Sequence, residues 1–529
     1  MKQLFMQTLM NGLLTIALAC LAPAIACAAD AITFFQPLVP PRDFQVMVPG
    51  GLGGLAPANT RPAITAAIED NLEWVEVPVR KTKDGTHVLF ASEHLDGHST
   101  GQGLIADRTL AELKELDCGS WFAKRFTGTR ILTLADALAH AKGKINLCLD
   151  CRAVDPAQLV RDVGAADAWS QVLLTGSRAS LRELRGASDG RLALLLLWEP
   201  SDGMQVLDEL RPAAVDVIAS EVDADICPKL HERGIKVRCR NLGEDNTPAA
   251  WDAALAAGAD YLLSDTPEEV IAHVIARRLT RRPVRFTCHR GASRYAAENT
   301  LTAFEKAYRL GADFVEFDVR TSRDGEYFLL HDSKLDRTTN AKGQIRDATS
   351  QEIRRLDAGS WFGPSGAHAH VPSLEEFLSS VPGKVSLYFD AKDISPAALA
   401  AALTKHNLVE RTVVYQSARY LTELKQIDAR IRRMPPAGSM AEVDRLSAEA
   451  SPYALDTRWT ALSREYIEHC HARGVQVFAD APYGLPVEKY QQAIEWGIDC
   501  IQTDNPLRVW RAMELVAASR QGQQPRTDR

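Results

Sequence analysis

The chain has 529 residues, too many for one ordinary domain, and its composition, 46% apolar and 24% charged, is that of a globular protein able to bury sizeable cores. Its formal net charge of -7 excludes a nucleic-acid or anionic-membrane surface as the main partner.

The first thirty residues carry Lys2, an apolar run through Leu21 and small residues up to Ala29, the pattern of a secretory signal peptide over residues 1–29. Cleavage is expected near Ala26-Cys27-Ala28. The alternative is a loose lipobox, Ala17-Leu18-Ala19-Cys20, which would leave a lipid anchor on Cys20. No later run reaches the roughly 18 apolar residues that a membrane span requires, so no transmembrane segment is expected, and the mature protein should be soluble in an exported compartment such as a periplasm. Eight cysteines lie beyond the leader. Most fall in apolar strand or helix patterns, where buried free thiols are expected even in a disulfide-permissive compartment.

Laid against each other, the two halves match at one constant offset. Asn59-Thr60 matches Asn299-Thr300, Glu76 matches Glu316, Asp84-Gly85 matches Asp324-Gly325, and Gly119-Ser120-Trp121 matches Gly359-Ser360-Trp361, each pair 240 residues apart. The register holds without a gap as far as Asp150 and Asp390. Self-similarity at this period implies a duplicated domain, with copies expected over residues 32–276 and 286–517. Between them, the basic run Arg277, Arg278, Arg281, Arg282 and Arg285 reads as a solvated linker over residues 277–285, and the polar residues 518–529 as a disordered tail.

In the second copy, apolar runs at Phe286–Cys288, Phe314–Val319, Tyr327–Leu330, Val385–Phe389, Thr412–Tyr415, Ile431–Met434, Tyr453–Leu455, Val475–Phe478 and Cys500–Gln502 predict strands. Helical periodicity intervenes after Asn299-Thr300 and around Pro396–His406, Arg419–Ile427, Arg464–Arg473 and Val487–Trp496. Such βα alternation belongs to a parallel sheet, and since barrels of about 250 residues are common, two tandem (β/α)8 barrels of the TIM type account for the length. Ser333–Ser373, rich in turns, reads as an excursion above the barrel mouth.

The chemistry concentrates between Cys288 and Asp332. Glu316 and Asp318 stand two apart on one predicted strand, so their side chains project to the same face and can close on one hard cation. His289 and His331 each follow a predicted strand directly, where a parallel barrel places its working residues. Two imidazoles flanking paired carboxylates suit metal-assisted phosphoryl chemistry. Cys288, beside His289, reads as a small apolar strand residue and not as a nucleophile.

The ordered series HRG, ENT, EFDV, TSRDG and HD, followed by LDRTTNAKGQI, LDAGSWF, VPSLEEFL and GIDCIQTDNP, resembles the glycerophosphodiester phosphodiesterase family over Pro283 to Met513. The resemblance implies a barrel enzyme that cleaves glycerophosphodiesters to an alcohol and glycerol 3-phosphate. Glu316, Asp318 and Asp390 would hold one divalent cation, and oxygen-only ligation points to calcium or magnesium, not zinc. The family usually carries Glu where this chain has Asp390. His289 and His331 would be the general acid and base around attack of a glycerol hydroxyl on phosphorus, and Arg290 and Lys392 would neutralise the phosphate oxygens. The alternatives are a rim ion pair for Arg290 and a simple partner of Asp390 for Lys392. Glu298 and Asn299 belong to the ENT signature, although a helix-start role suits Asn299 equally. Asp332 is expected to orient the loop after His331, Trp361 to wall a groove or pack the excursion, and Asp504 to support the site from the last strand.

At the same offset the first copy has Pro49 for His289, Gly50 for Arg290, Pro78 for Asp318, Ala91 for His331 and Ser92 for Asp332, keeping only Glu76 and Asp150. It reads as a pseudoenzyme with a supportive or regulatory role. The nearby Glu93, His94 and His98 read as exposed loop residues. The other functions in view are a phosphodiesterase acting on intact lipids and a non-catalytic surface-binding protein. The partner expected is a small glycerophosphodiester.

Overall fold

Short apolar strands, each succeeded by an amphipathic helix, bury one face of the strand on the helix layer and the other in a central axis. A parallel barrel is the closure that leaves no strand edge open. The computed structural model describes residues 33–522 apart from 200, 201, 220–224, 382 and 384. Residues 1–32, where the signal peptide is expected, and residues 523–529 lie outside the described residues. Ten strands of the first half form one sheet, and two of them, His87–Leu89 and Leu132–Thr133, are antiparallel arms. The other eight run parallel from Gln45–Pro49 to Tyr261–Ser264, and the first pairs with the last (Gln45 with Tyr261) and with the second (Met47 with Trp74). The second half repeats this from Arg285–Cys288 to Cys500–Thr503, closing through Arg285 and Cys500. Its loosest seam lies between Arg432–Met434 and Ala454–Arg458, joined by a single bridge from Pro436 to Asp456. The two tandem (β/α)8 barrels expected from the repeat are therefore present.

Both barrels are filled. Met47, Trp74, Leu173, Leu195 and Tyr261 occupy the first, with Phe34 set edge-on against Trp74 at 5.0 Å. Phe314, Tyr388, Met434 and Phe478 occupy the second. Arg285 closes its floor, with its guanidinium 5.5 and 5.6 Å from the Phe314 and Phe478 ring centres and bonded to Tyr453 and Gln476. The basic linker is solvated in part, as Arg277, Arg278 and Arg281 are exposed while Arg282 and Arg285 are half-buried. Arg282 stacks on Trp510 at 4.6 Å and donates to the Gly311 carbonyl, and Arg278 pairs with Asp43. The helices Pro267–Arg278 and Pro506–Gly522 extend beyond both expected boundaries, so residues 518–522 are helical and not a disordered tail.

The excursions after the second strand of each barrel are built alike. Thr109–Glu112 and Thr349–Glu352 form capping boxes, and Asp117 and Asp357 each accept the next two backbone N–H groups of the GSW turn. Gly359 is obligatory there, because a Cβ would strike the Gly366 carbonyl.

The barrels are clamped together by buried charge. Asp70, 2% exposed, ends the helix Arg61–Glu69, where the helix dipole disfavours a carboxylate. Arg294 of the second barrel compensates at 2.6 Å, and the Tyr295 hydroxyl donates to the other oxygen at 2.8 Å. Lys306 reaches back to Glu268 at 2.8 Å and to Glu269.

Candidate active site

Glu316 and Asp318 lie on the long strand Phe314–Thr321, and Asp318 stands directly opposite Asp390 of the neighbouring strand Ser386–Asp390. Period-two alternation places all three carboxylates on the barrel side of the strand ends, with ligand oxygens within 4.8 Å of one another. Glu316 and Asp318 are 3% and 1% exposed. Burial, followed by repulsion from Asp318, holds the Glu316 carboxyl well above the usual range, and the same two causes raise Asp390. One Asp318 oxygen is buried with no aligned hydrogen bond, although Lys392 Nζ lies 3.2 Å away. Close, under-satisfied oxygens of this kind fit a hard divalent cation, which would relieve both the repulsion and the missing partner.

Asn299 fixes this cluster. Its backbone is left-handed (φ 55°), its amide donates to Asp318 Oδ2 at 2.9 Å, and its carbonyl accepts the Asp318 N–H at 3.2 Å. The helix-start role considered for it belongs instead to Thr300, whose hydroxyl accepts the Ala303 N–H. Lys392 pairs with Asp390 and lies 3.2 Å from Asp318.

His289 follows the first strand of the second barrel, with Nδ1 2.9 Å from Asp504 Oδ1 at the end of the last strand. Burial alone would disfavour the imidazolium. The Asp504 hydrogen bond and the Glu316 charge outweigh it and lift His289 to about 9. Arg290, next in sequence, is left-handed (φ 57°), an uncommon conformation for a bulky residue. It donates its backbone N–H to Glu316 at 2.6 Å and pairs with Glu298 at 2.9 Å, the rim ion pair foreseen as its alternative.

His331 follows the strand Tyr327–Leu329, which is antiparallel to Phe314–Thr321 and so is a hairpin arm above the barrel, not one of its parallel strands as expected. The arm brings it over the mouth, where Arg320 holds its carbonyl at 2.8 Å and Asp332 accepts from Nδ1 at 2.8 Å. Arg337 bonds Asp332 at 2.8 Å and Glu298 at 2.6 Å, so one ionic chain runs from His331 to Arg290. Arg337 holds the Asp332 carboxyl far below its ordinary value.

A cavity of about 810 Å3 opens over His289, Arg290, Glu298 and Asp504, with Trp361 in its wall. Trp361 also packs the excursion, donating its indole N–H to Ala358 at 2.9 Å. Residues not singled out in the sequence complete the site. Arg337 sits inside a quoted motif and could have been found there. Asp456, lifted to about 7 by burial and then by Asp480, bonds the Tyr388 hydroxyl at 3.2 Å. The predicted strands stopped one and two residues short of Asp456 and Asp480.

In the first barrel the same register is neutralised. Pro78 stands opposite Asp150, which is held by Arg152 at 2.9 Å, and Glu76 pairs with the buried Arg238, itself bonded to Asp216 at 2.8 Å. Among the described residues, the acidic cluster of the second barrel is the one that could hold an ion. Glu93, His94 and His98 are exposed, as expected.

Fold and site together define a (β/α)8-barrel enzyme with an acidic strand-end cluster between two carboxylate-oriented imidazoles. The model of the "Glycerophosphoryl diester phosphodiesterase family" matches residues 51–176 and 289–508. The chain is 32% identical over 244 residues to a glycerophosphodiester phosphodiesterase of Bacillus subtilis (41% of this chain, 82% of that protein). It is 31% identical over 233 residues to one of Caldanaerobacter subterraneus subsp. tengcongensis (41% and 93%). The crystal structure of the glycerophosphodiester phosphodiesterase from Agrobacterium tumefaciens, 30% identical, superposes with a TM-score of 0.41 over 43% of this chain and 99% of that one. The chain belongs to the glycerophosphoryl diester phosphodiesterase family, once in each barrel.

Proposed function

We propose that the second barrel hydrolyses glycerophosphodiesters to an alcohol and glycerol 3-phosphate with one divalent cation, calcium or magnesium, held by Glu316, Asp318 and Asp390. The observation that carries this reading is the buried three-carboxylate cluster beside His289, since paired acids this close are stable only protonated or around a cation. The cation would neutralise the non-bridging phosphate oxygens and make the attacking hydroxyl more acidic.

The remaining work falls to side chains. His289, with Nδ1 engaged by Asp504, presents Nε2 for the proton of the attacking glycerol hydroxyl or of the leaving alcohol, and His331, oriented by Asp332, exchanges the complementary proton. The alcohol leaves, and water, with the two imidazoles exchanging roles, then opens the cyclic phosphate to glycerol 3-phosphate. Arg290 and Lys392, each held beside Asp318, would meet the charge that develops on the phosphate. The first barrel, lacking both imidazoles, is a pseudoenzyme. Residues 1–29 are taken as an export leader from Lys2 and the apolar run behind it, which cell fractionation would check.

The test is turnover of glycerophosphocholine and of sphingomyelin by the full chain, with and without chelator. Chelator-sensitive release of glycerol 3-phosphate is expected from the first and none from the second. Turnover that survives chelation refutes the cation, and sphingomyelin cleavage refutes the substrate class.

A further inference from the structure

The large cavity is not a property of the second barrel alone. One wall is His289, Arg290 and Trp361, and the other is made by Leu55, Arg61 and Arg125 of the first barrel. Its volume falls in the roughly 300–1,000 Å3 range that encloses a ligand much larger than a three-carbon polyol. The space therefore extends beyond what the constant glycerol moiety fills, toward the variable alcohol.

The charge of the two walls differs. On the second-barrel side every cation is matched, Arg290 by Glu298, Arg294 by Asp70 and Glu69, and His289 by Asp504. On the first-barrel side, no carboxylate among the described residues pairs with Arg61 or Arg125. Arg61 is exposed and reaches only the His140 ring, at 3.4 Å. Arg125 donates to the Trp361 and Leu55 carbonyls at 2.8 and 3.3 Å and lies 4.8 and 5.2 Å from the Phe126 and Phe362 ring centres. Those rings already carry a guanidinium, so they cannot also serve as a cage for a quaternary ammonium group.

We infer that the first barrel, though it has lost its own chemistry, supplies the leaving-group wall of the active cleft, and that Arg61 selects glycerophosphodiesters whose alcohol carries a further anionic group. This rests on the hydrolase reading above and names its substrate class. The unpaired charge of Arg61 attracts a second phosphate or a carboxylate and repels choline or ethanolamine. Arg125 fixes the approach of the two excursions.

The experiment uses the full chain and three diesters that differ in the charge of the alcohol: glycerophosphoinositol 4-phosphate, the neutral diglycerol phosphodiester, and glycerophosphocholine. The wild type is expected to favour the first over the last by about tenfold or more in kcat/KM, less so as ionic strength screens an exposed charge. Arg61→Glu should abolish or invert the ratio through KM, leave kcat for the neutral diester within about twofold, and fold normally, because a carboxylate suits the first position of a helix. Arg61→Lys should retain the preference. Equal kcat/KM for all three diesters, or a ratio untouched by Arg61→Glu, overturns the inference while leaving the hydrolase reading intact. If no diester is cleaved, calorimetry of inositol 4-phosphate against wild type and Arg61→Glu decides. Binding lost in the variant sustains the wall and removes the hydrolase reading, and binding equal in both overturns the wall as well.

Discussion

Glu76 and Glu316 occupy the same register in two copies of one barrel, yet each meets its buried charge differently. Around Glu316 the neighbours are Asp318 and Asp390, so negative charge accumulates until a cation or a proton relieves it. Around Glu76 the acid at the next inward position is Pro78, and Arg238 brings a permanent guanidinium into the barrel, shared with Asp216. The backbone before each cluster differs in parallel. Arg290 is forced to φ 57°, a conformation costing a side-chain-bearing residue about 1–2 kcal/mol, whereas Gly50 takes φ 70° freely. Strain at this position and electrostatic frustration persist in the copy with a site to maintain and have been relaxed in the other, where Glu76 is paired with Arg238.

The sharpest way to break this comparison is to remove the imidazole on one side. His289→Ala in the full chain should lower turnover of a glycerophosphodiester by about 10³-fold or more, while Pro49→His in the first barrel should restore nothing. Next in size, Asp318→Asn leaves two carboxylates and a neutral amide. Cation affinity, read by calorimetry, should fall at least about tenfold, with Tm nearly unchanged or raised because repulsion at Glu316 is eased.

The first barrel should respond in the opposite sense. Arg238→Met leaves the part-buried Glu76 without its partner and the buried Asp216 with Arg240 alone, so denaturant unfolding should show a loss of roughly 1.5–3 kcal/mol with no change in kcat of the surviving folded protein.

A smaller effect concerns protons. His289 is raised to about 9 in the cation-free protein, so its imidazolium is favoured on folding. The stability it brings is complete below its unfolded value near 6.5 and is lost as pH rises through about 9. Proton NMR should place its midpoint there, and adding calcium or magnesium should lower it by offsetting the Glu316 charge. Least of all, Arg290→Gly, which copies the first barrel, should change Tm by only a degree or two. Relief of the left-handed strain is balanced by the lost Glu298 pair and a looser unfolded chain, so the change should register in turnover, as a fall in kcat, and hardly in stability.

The tandem barrels were legible because a constant offset of 240 residues survives wherever turns and strand cores demand particular residues, as at Asp357 and Gly359. The acidic cluster was legible for the same kind of reason, since Glu316 and Asp318 share a strand face whatever surrounds them. What escaped were relations between distant segments. No local pattern shows that Asn299 clasps Asp318 or that Arg282 finds Trp510, whereas Asp324-Gly325 between two strand-like runs does signal that Tyr327–Leu329 folds back against its predecessor. A signal for the helix Met440–Ala450 was present, since Val443, Leu446 and Ala450 stand at i, i+3 and i+7 behind the cap Ser439, although no helix is predicted there. The part played by the first barrel was hidden most completely, because Arg61 and Arg125 gain meaning only once the two domains face each other.

The contact of Arg294 and Tyr295 with Asp70 bears on the history of the chain. A duplicated copy that no longer reacts is ordinarily free to be deleted by drift. Here excision would strand a guanidinium and a phenol shaped for a vanished neighbour, and their correction would need several simultaneous changes. On the pseudoenzyme reading proposed above, the joint acts as a ratchet, retaining an inert relative in the lineage through the architecture of its active twin.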